Sequence, residues 1–112
     1  MNKRELLAAP PPEKVTIEGV GELHIRQLTG VEFEQIQKLV EQNKDKEYEN
    51  VLELVIRTVC TETGEPMFQE QDRERLRALP VRRLLKIGAA CNEANGFANT
   101  ADDLTGKSAT IT

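Results

Sequence analysis

Between Ile25 and Phe33 the chain changes its hydrophobic period, and that change limits the folds open to it. Before it, Val15 and Ile17 alternate with Thr16 and Glu18, and Leu23 and Ile25 alternate with His24 and Arg26. Period two on both sides of Gly19-Val20-Gly21 predicts an antiparallel hairpin with one buried face. Beyond it, Phe33, Ile36, Leu39 and Val40 recur at helical spacing over residues 30–42. The junction carries its own helix-start signature. Thr29 with Glu32 three residues on makes a capping box, and Leu28 with Phe33 makes a hydrophobic staple.

The remaining chain reads as helices separated by breakers. Asn43-Lys44-Asp45-Lys46 is a polar break, with Asp45 placed to cap the next helix. That helix, residues 46–60, aligns Tyr48, Val51, Leu52, Val55 and Val59, and Leu54 and Ile56 broaden the stripe. Its β-branched residues weaken helicity, yet the 3.6-residue pattern favours helix over strand. Thr61 to Pro66 is a turn, Met67-Phe68 an apolar anchor, and Glu70 to Leu79 a short helix ended by Pro80. A last helix turns Val81, Leu84, Leu85, Gly88 and Cys91 inward, with Gly88 admitting a close neighbour. It stops near Asn95-Gly96, where Gly96 suits a left-handed terminator.

These elements predict an α+β fold, predominantly helical, in which a short N-terminal hairpin precedes about four helices. The expected organisation is a flexible arm over residues 1–14, a single domain over 15–97 and a flexible tail over 98–112. Pro10-Pro11-Pro12 reads as an extended spacer delivering the chain to the first strand.

Chemistry-bearing patterns are weak. The net charge of -4 supplies no global attraction to nucleic acid, and an aromatic share of 4% without tryptophan disfavours base stacking. His24 is the single histidine, expected to face solvent on its strand, and one histidine builds no metal cluster. Cys60 and Cys91 lack a redox or zinc spacing and read as buried thiols. The glutamates fall on polar helix faces beside lysine or arginine, without the opposed environments that an acid–base pair needs. Thr105-Gly106-Lys107-Ser108 imitates the end of a phosphate loop, but Ala101 stands where the first glycine belongs. No catalytic, metal or cofactor residue is therefore assigned, and no enzyme activity is expected. No apolar run approaches the roughly 18 residues that span a bilayer, and none resembles a signal peptide, so a reducing cytoplasm is the expected compartment.

One local anomaly stands out. Arg73, Arg75, Arg77, Arg82, Arg83 and Lys86 crowd a stretch whose opposing charge is Glu74. Three uses are open to it: a solvated surface, a rim that docks an acidic protein, or a nucleic-acid contact through residues 73–86.

Three stretches together resemble the small tail assembly chaperones of long-tailed bacteriophages and prophages. They are Leu23-His24-Ile25-Arg26-Gln27-Leu28-Thr29-Gly30-Val31-Glu32-Phe33, Thr63-Gly64-Glu65-Pro66-Met67-Phe68 and Leu79-Pro80-Val81-Arg82-Arg83-Leu84, the last leading into a helix ending near Asn95-Gly96-Phe97. The resemblance implies a non-enzymatic protein that binds the tape-measure protein and helps recruit tail-tube subunits. It also implies host bacterial cytoplasm, absence from the mature virion, and a longer frameshifted form in many members. A homo-oligomer is an open expectation. Val20, Met67 and Phe97 are the expected apolar contributors to a client surface. Arg73, Arg77, Arg82, Arg83 and Lys86 are its expected polar rim. The alternative from a different class is a small nucleic-acid-associated regulator using the basic 73–86 region.

Overall fold

The computed structural model describes residues 1–97. Within them the chain is a small α+β domain: an N-terminal hairpin followed by several helices. Strand β1 (Glu13–Ile17) begins directly after the prolines and pairs antiparallel with β2 (Gly21–Ile25), in the register Val15 to Leu23 and Glu13 to Ile25. The turn between them uses Gly19 at φ +81° and Gly21 at φ +121°, backbone conformations that side chains with a Cβ rarely adopt. Because partners in a ladder share a face, Val15, Ile17, Leu23 and Ile25 all point to the core side.

Helices α2 (Gly30–Gln42), α3 (Glu47–Thr58), α4 (Arg73–Arg77) and α5 (Val81–Ala94) follow. The core lies where α3 and α5 cross beneath the sheet. Ile25, Leu52, Val55, Val59, Leu84 and Cys91 are fully buried there. Each large aliphatic side chain among them contributes roughly 1.5–3 kcal/mol by leaving water. The close crossing depends on Gly88, as its sequence position suggested. A Cβ on Gly88 would stand 2.7 Å from Cγ1 of Val51.

Several local expectations are corrected. A short helix α1 (Lys3–Leu7), capped by Asn2, precedes the prolines, with every residue exposed. The second long helix stops at Thr58 and not at residue 60. Val59-Cys60 instead forms strand β3, which pairs with His24 and Ile25 and extends the sheet to the order β1-β2-β3. The free edge of β2 offers a ladder that β-branched Val59 fits better than another helical turn. The Thr61–Pro66 turn folds this strand back on itself: Thr61 N–H donates to Glu65 O and Met67 N–H to Val59 O. Asp45 caps nothing. Lys46 N–H closes a turn onto Asn43 O, which moves the helix start to Glu47 without a side-chain cap. The Glu70–Leu79 segment divides into a 3-10 turn (Glu70–Asp72) and α4. Val81 is 57% exposed and not inward. The buried face of α5 runs through Leu84, Ile87, Gly88 and Cys91, and at 100° per residue its centre lies roughly 70° from Val81.

Candidate protein-binding surface

The start of α2 is built as its sequence implies. Glu32 N–H donates to Thr29 Oγ1 at 3.2 Å, and Thr29 N–H donates to Glu32 Oε1 at 3.0 Å. Glu32 has a second task. The Arg26 guanidinium, held at the end of β2, forks onto both its oxygens at 3.0 and 2.6 Å. This pairing, helped by the Thr29 hydrogen bonds and opposed by burial, holds the Glu32 carboxyl down at about 2.

The far end of α5 is bound to the same junction. Asn95 Oδ1 accepts from Leu28 N–H at 2.7 Å, while its Nδ2 donates to Arg26 O at 3.4 Å and to Cys91 O at 3.0 Å. Gly96, at φ +76°, then turns the chain so that Phe97 lies against Phe33, ring centroids 5.3 Å apart. Leu28, Phe33 and Phe97 line one shallow hollow here, at the position where the staple was expected.

What the sequence did not disclose is that α2 buries none of its residues fully. Its apolar stripe is split lengthwise. Ile36 is half-buried against the core and Leu39 is half-buried, whereas Phe33 (37% exposed) and Val40 (44%) open outward. Together with Ile36, Phe97 and Asn92 they line an open groove of about 590 Å³. Glu34, Gln37, Lys38 and Glu41 complete the lining, so the rim is polar and carries charges of both signs.

The residues singled out from sequence are distributed over separate places. Val20 sits in the β1–β2 turn, half-buried against the core. Met67 (44% exposed) follows β3 at the opposite end of β2, about 13 Å of strand away. Phe97 joins the α2 groove, which Val20 and Met67 do not line.

The basic cluster also divides. Arg73 is locked into the fold: it meets Glu70 at 2.7 Å, Glu53 at 2.8 Å and Glu49 at 3.8 Å. Its pKa is driven upward, chiefly by the Glu70 hydrogen bond. Burial pushes the Glu53 carboxyl up, but the hydrogen bonds from Arg57 and Arg73 outweigh it and hold that group below its ordinary value. Arg57 continues the chain to Gln35 of α2 at 2.7 Å. Arg77 binds Glu49 and Glu74, with Tyr48 donating to its carbonyl. Lys86 Nζ reaches Glu18 O at 3.3 Å, beside the hairpin turn. Arg75, Arg82 and Arg83 are exposed and form no ion pair with a carboxylate among the described residues.

Neither thiol sits in an activating environment. Burial pushes Cys91 up to about 11 and raises Cys60, whose Sγ lies 3.5 Å from His24 O. Among the described residues no group of three or more metal-ligating side chains converges, and no helix is long and apolar enough to cross a membrane. Comparison with family models, curated proteins and solved structures finds no match to this chain.

Proposed function

We propose that this protein is a phage or prophage tail assembly chaperone, a non-enzymatic protein that shields helical segments of the tape-measure protein before the tail tube polymerises. The observation that carries the reading is the apolar groove along α2, in which Phe33 and Val40 are exposed and half-buried Ile36 and Phe97 complete the wall. A long amphipathic helix buries its apolar face in a groove of this kind through anchors spaced three, four and seven residues apart. The ordered motifs at the Ile25–Phe33 junction, the Gly64–Pro66 turn and the Leu79–Pro80 break support it. Recruitment of tail-tube protein, a frameshifted longer form and residence in the host bacterial cytoplasm belong to the same proposal.

The nucleic-acid alternative is less favoured. Arg73 and Arg77 direct their charge at Glu49, Glu53, Glu70 and Glu74 and not at solvent. The test is co-purification with helical fragments of a cognate tape-measure protein. Native protein is expected to retain a fragment, and Phe33→Asp with Val40→Asp to release it while keeping the native circular dichroism. Absence of retention by the folded native protein overturns the reading.

A further inference from the structure

Asn95 is the only asparagine of the chain followed by glycine, and no aspartate precedes a glycine either. An asparagine amide is thermolabile, and glycine, lacking a side chain, leaves its own nitrogen open to attack that amide. The structure holds this pair away from reaction in three ways. Asn95 has ψ 3°, which turns the Gly96 nitrogen toward Asn95's own nitrogen, about a third of a turn from Cβ. Gly96 N–H donates to Glu93 O at 3.1 Å. The Asn95 amide is held at both ends, by Leu28 N–H and by the carbonyls of Arg26 and Cys91. All three act at the C-terminal end of α5, where helices fray, and Gly96 itself is exposed to water.

We propose that Asn95 is a site of spontaneous covalent modification, gated by opening of the α5 end. With that end open, ψ is free, and the Gly96 nitrogen attacks Asn95 Cγ and loses its proton. The side-chain amide leaves as ammonia. Water then opens the succinimide ring at either carbonyl, giving aspartate or isoaspartate at position 95, and it is the only co-reactant. Neither product rebuilds the joint. A carboxylate accepts hydrogen bonds but donates none, so it still takes Leu28 N–H but repels the Arg26 and Cys91 carbonyls. Isoaspartate also adds a carbon to the backbone ahead of Gly96, which shifts Phe97 off Phe33. The Phe97 wall of the groove is therefore lost one way as the molecule ages, while the core between α3 and α5 stays folded. This holds whatever the groove binds and does not rest on the tape-measure reading.

Mass spectrometry of the full-length chain, kept in warm, mildly alkaline buffer with and without guanidinium chloride, tests it. In denaturant, Asn95 is expected to gain the amide-to-acid mass and to become a substrate for isoaspartyl methyltransferase ahead of every other asparagine. In native buffer the same conversion is expected at least about tenfold more slowly, because only the opened fraction reacts. Phe97→Ala, which loosens the docked end, is expected to speed the native reaction and leave the rate in denaturant unchanged. For the product, Asn95→Asp and the modified protein, separated by its added negative charge, are compared with unmodified protein. Both are expected to keep native circular dichroism, to exchange the Phe97 N–H faster and to lose the Phe33–Phe97 ring contact in NMR spectra. Equal rates with and without denaturant overturn the proposal, as does a native rate that Phe97→Ala leaves unchanged. So does an Asn95→Asp protein that keeps the ring contact, or one that unfolds altogether.

Discussion

Gly88 of α5 and Val51 of α3 occupy one contact: a Cβ on the glycine would lie 2.7 Å from the valine's Cγ1. The two longest buried stripes of the chain meet at that point, so the crossing is set by the missing side chain. Gly88→Ala gains about 1 kcal/mol of helix propensity but forces a methyl into occupied space, at about 1–3 kcal/mol. The net expectation is a loss of up to about 2 kcal/mol, seen as a lower urea midpoint. Adding Val51→Ala reopens the space, so the double variant is expected to lose less than the sum of the two single losses.

Glu32 gives the fold an acid-sensitive joint. Its carboxyl titrates at about 2 in the folded chain, against an ordinary 4.5. A depressed carboxylate stabilises the fold fully above the unfolded value, and that contribution disappears as pH falls from 4.5 toward 2. Allowing for its partial exposure, the effect is on the order of 1 kcal/mol. Urea titrations across that window are expected to show a shallower acid limb for Glu32→Gln than for the native protein.

Two arginines of one cluster are expected to behave differently. Arg73→Met leaves Glu53 half-buried with Arg57 alone and releases Glu70, at a loss of about 1–2 kcal/mol. Arg75→Met, two residues away on the same short helix, touches no described carboxylate and is expected to change stability by less than about 0.5 kcal/mol. Equal losses in chemical denaturation would count against the ion-pair hub.

Truncations on α2 and α5 are expected to separate surface from core. Leu84→Ala opens a void among fully buried neighbours and is expected to lose about 2–5 kcal/mol. Val40→Ser, at the mouth of the groove, is expected to change stability by no more than about 0.5 kcal/mol. Thermal denaturation of the pair distinguishes the two environments.

Both thiols are expected to resist modification in the native protein. Cys60 and Cys91 are fully buried. With Cys91 raised to about 11, only about one molecule in a thousand carries its thiolate at pH 8. Ellman's reagent is expected to react at the rate of unfolding and to accelerate in urea.

The hairpin, the capping box and the bounds of α2 were legible because each is specified by neighbours within four residues of one another. Gly96 was legible for the same reason. Strand β3 was not, because Val59-Cys60 continues the helical stripe of α3 and becomes a strand only when the β2 edge is within reach. The groove was hidden for a related reason. Three amphipathic helices compete for one core, and periodicity cannot tell which stripe remains outside. The contact of Gly88 with Val51 decides it: α3 and α5 satisfy each other and displace α2 to the periphery, leaving Phe33 and Val40 uncovered. Val81 was misplaced because the α5 face was centred about 45° too far round toward Val81 and Leu85, omitting Ile87.

The Asn95 amide, which joins α5 to the Arg26–Leu28 backbone across 67 to 69 residues of sequence, also sets a timetable. The N-terminal part of a chain leaves the ribosome first, but a domain folds as a unit. The hairpin and α2 emerge early, yet the wall that Phe97 supplies does not exist until the end of α5 is free to dock. The groove is therefore complete only once the whole domain has folded. Any contact that needs both walls of the groove is open only to the finished domain.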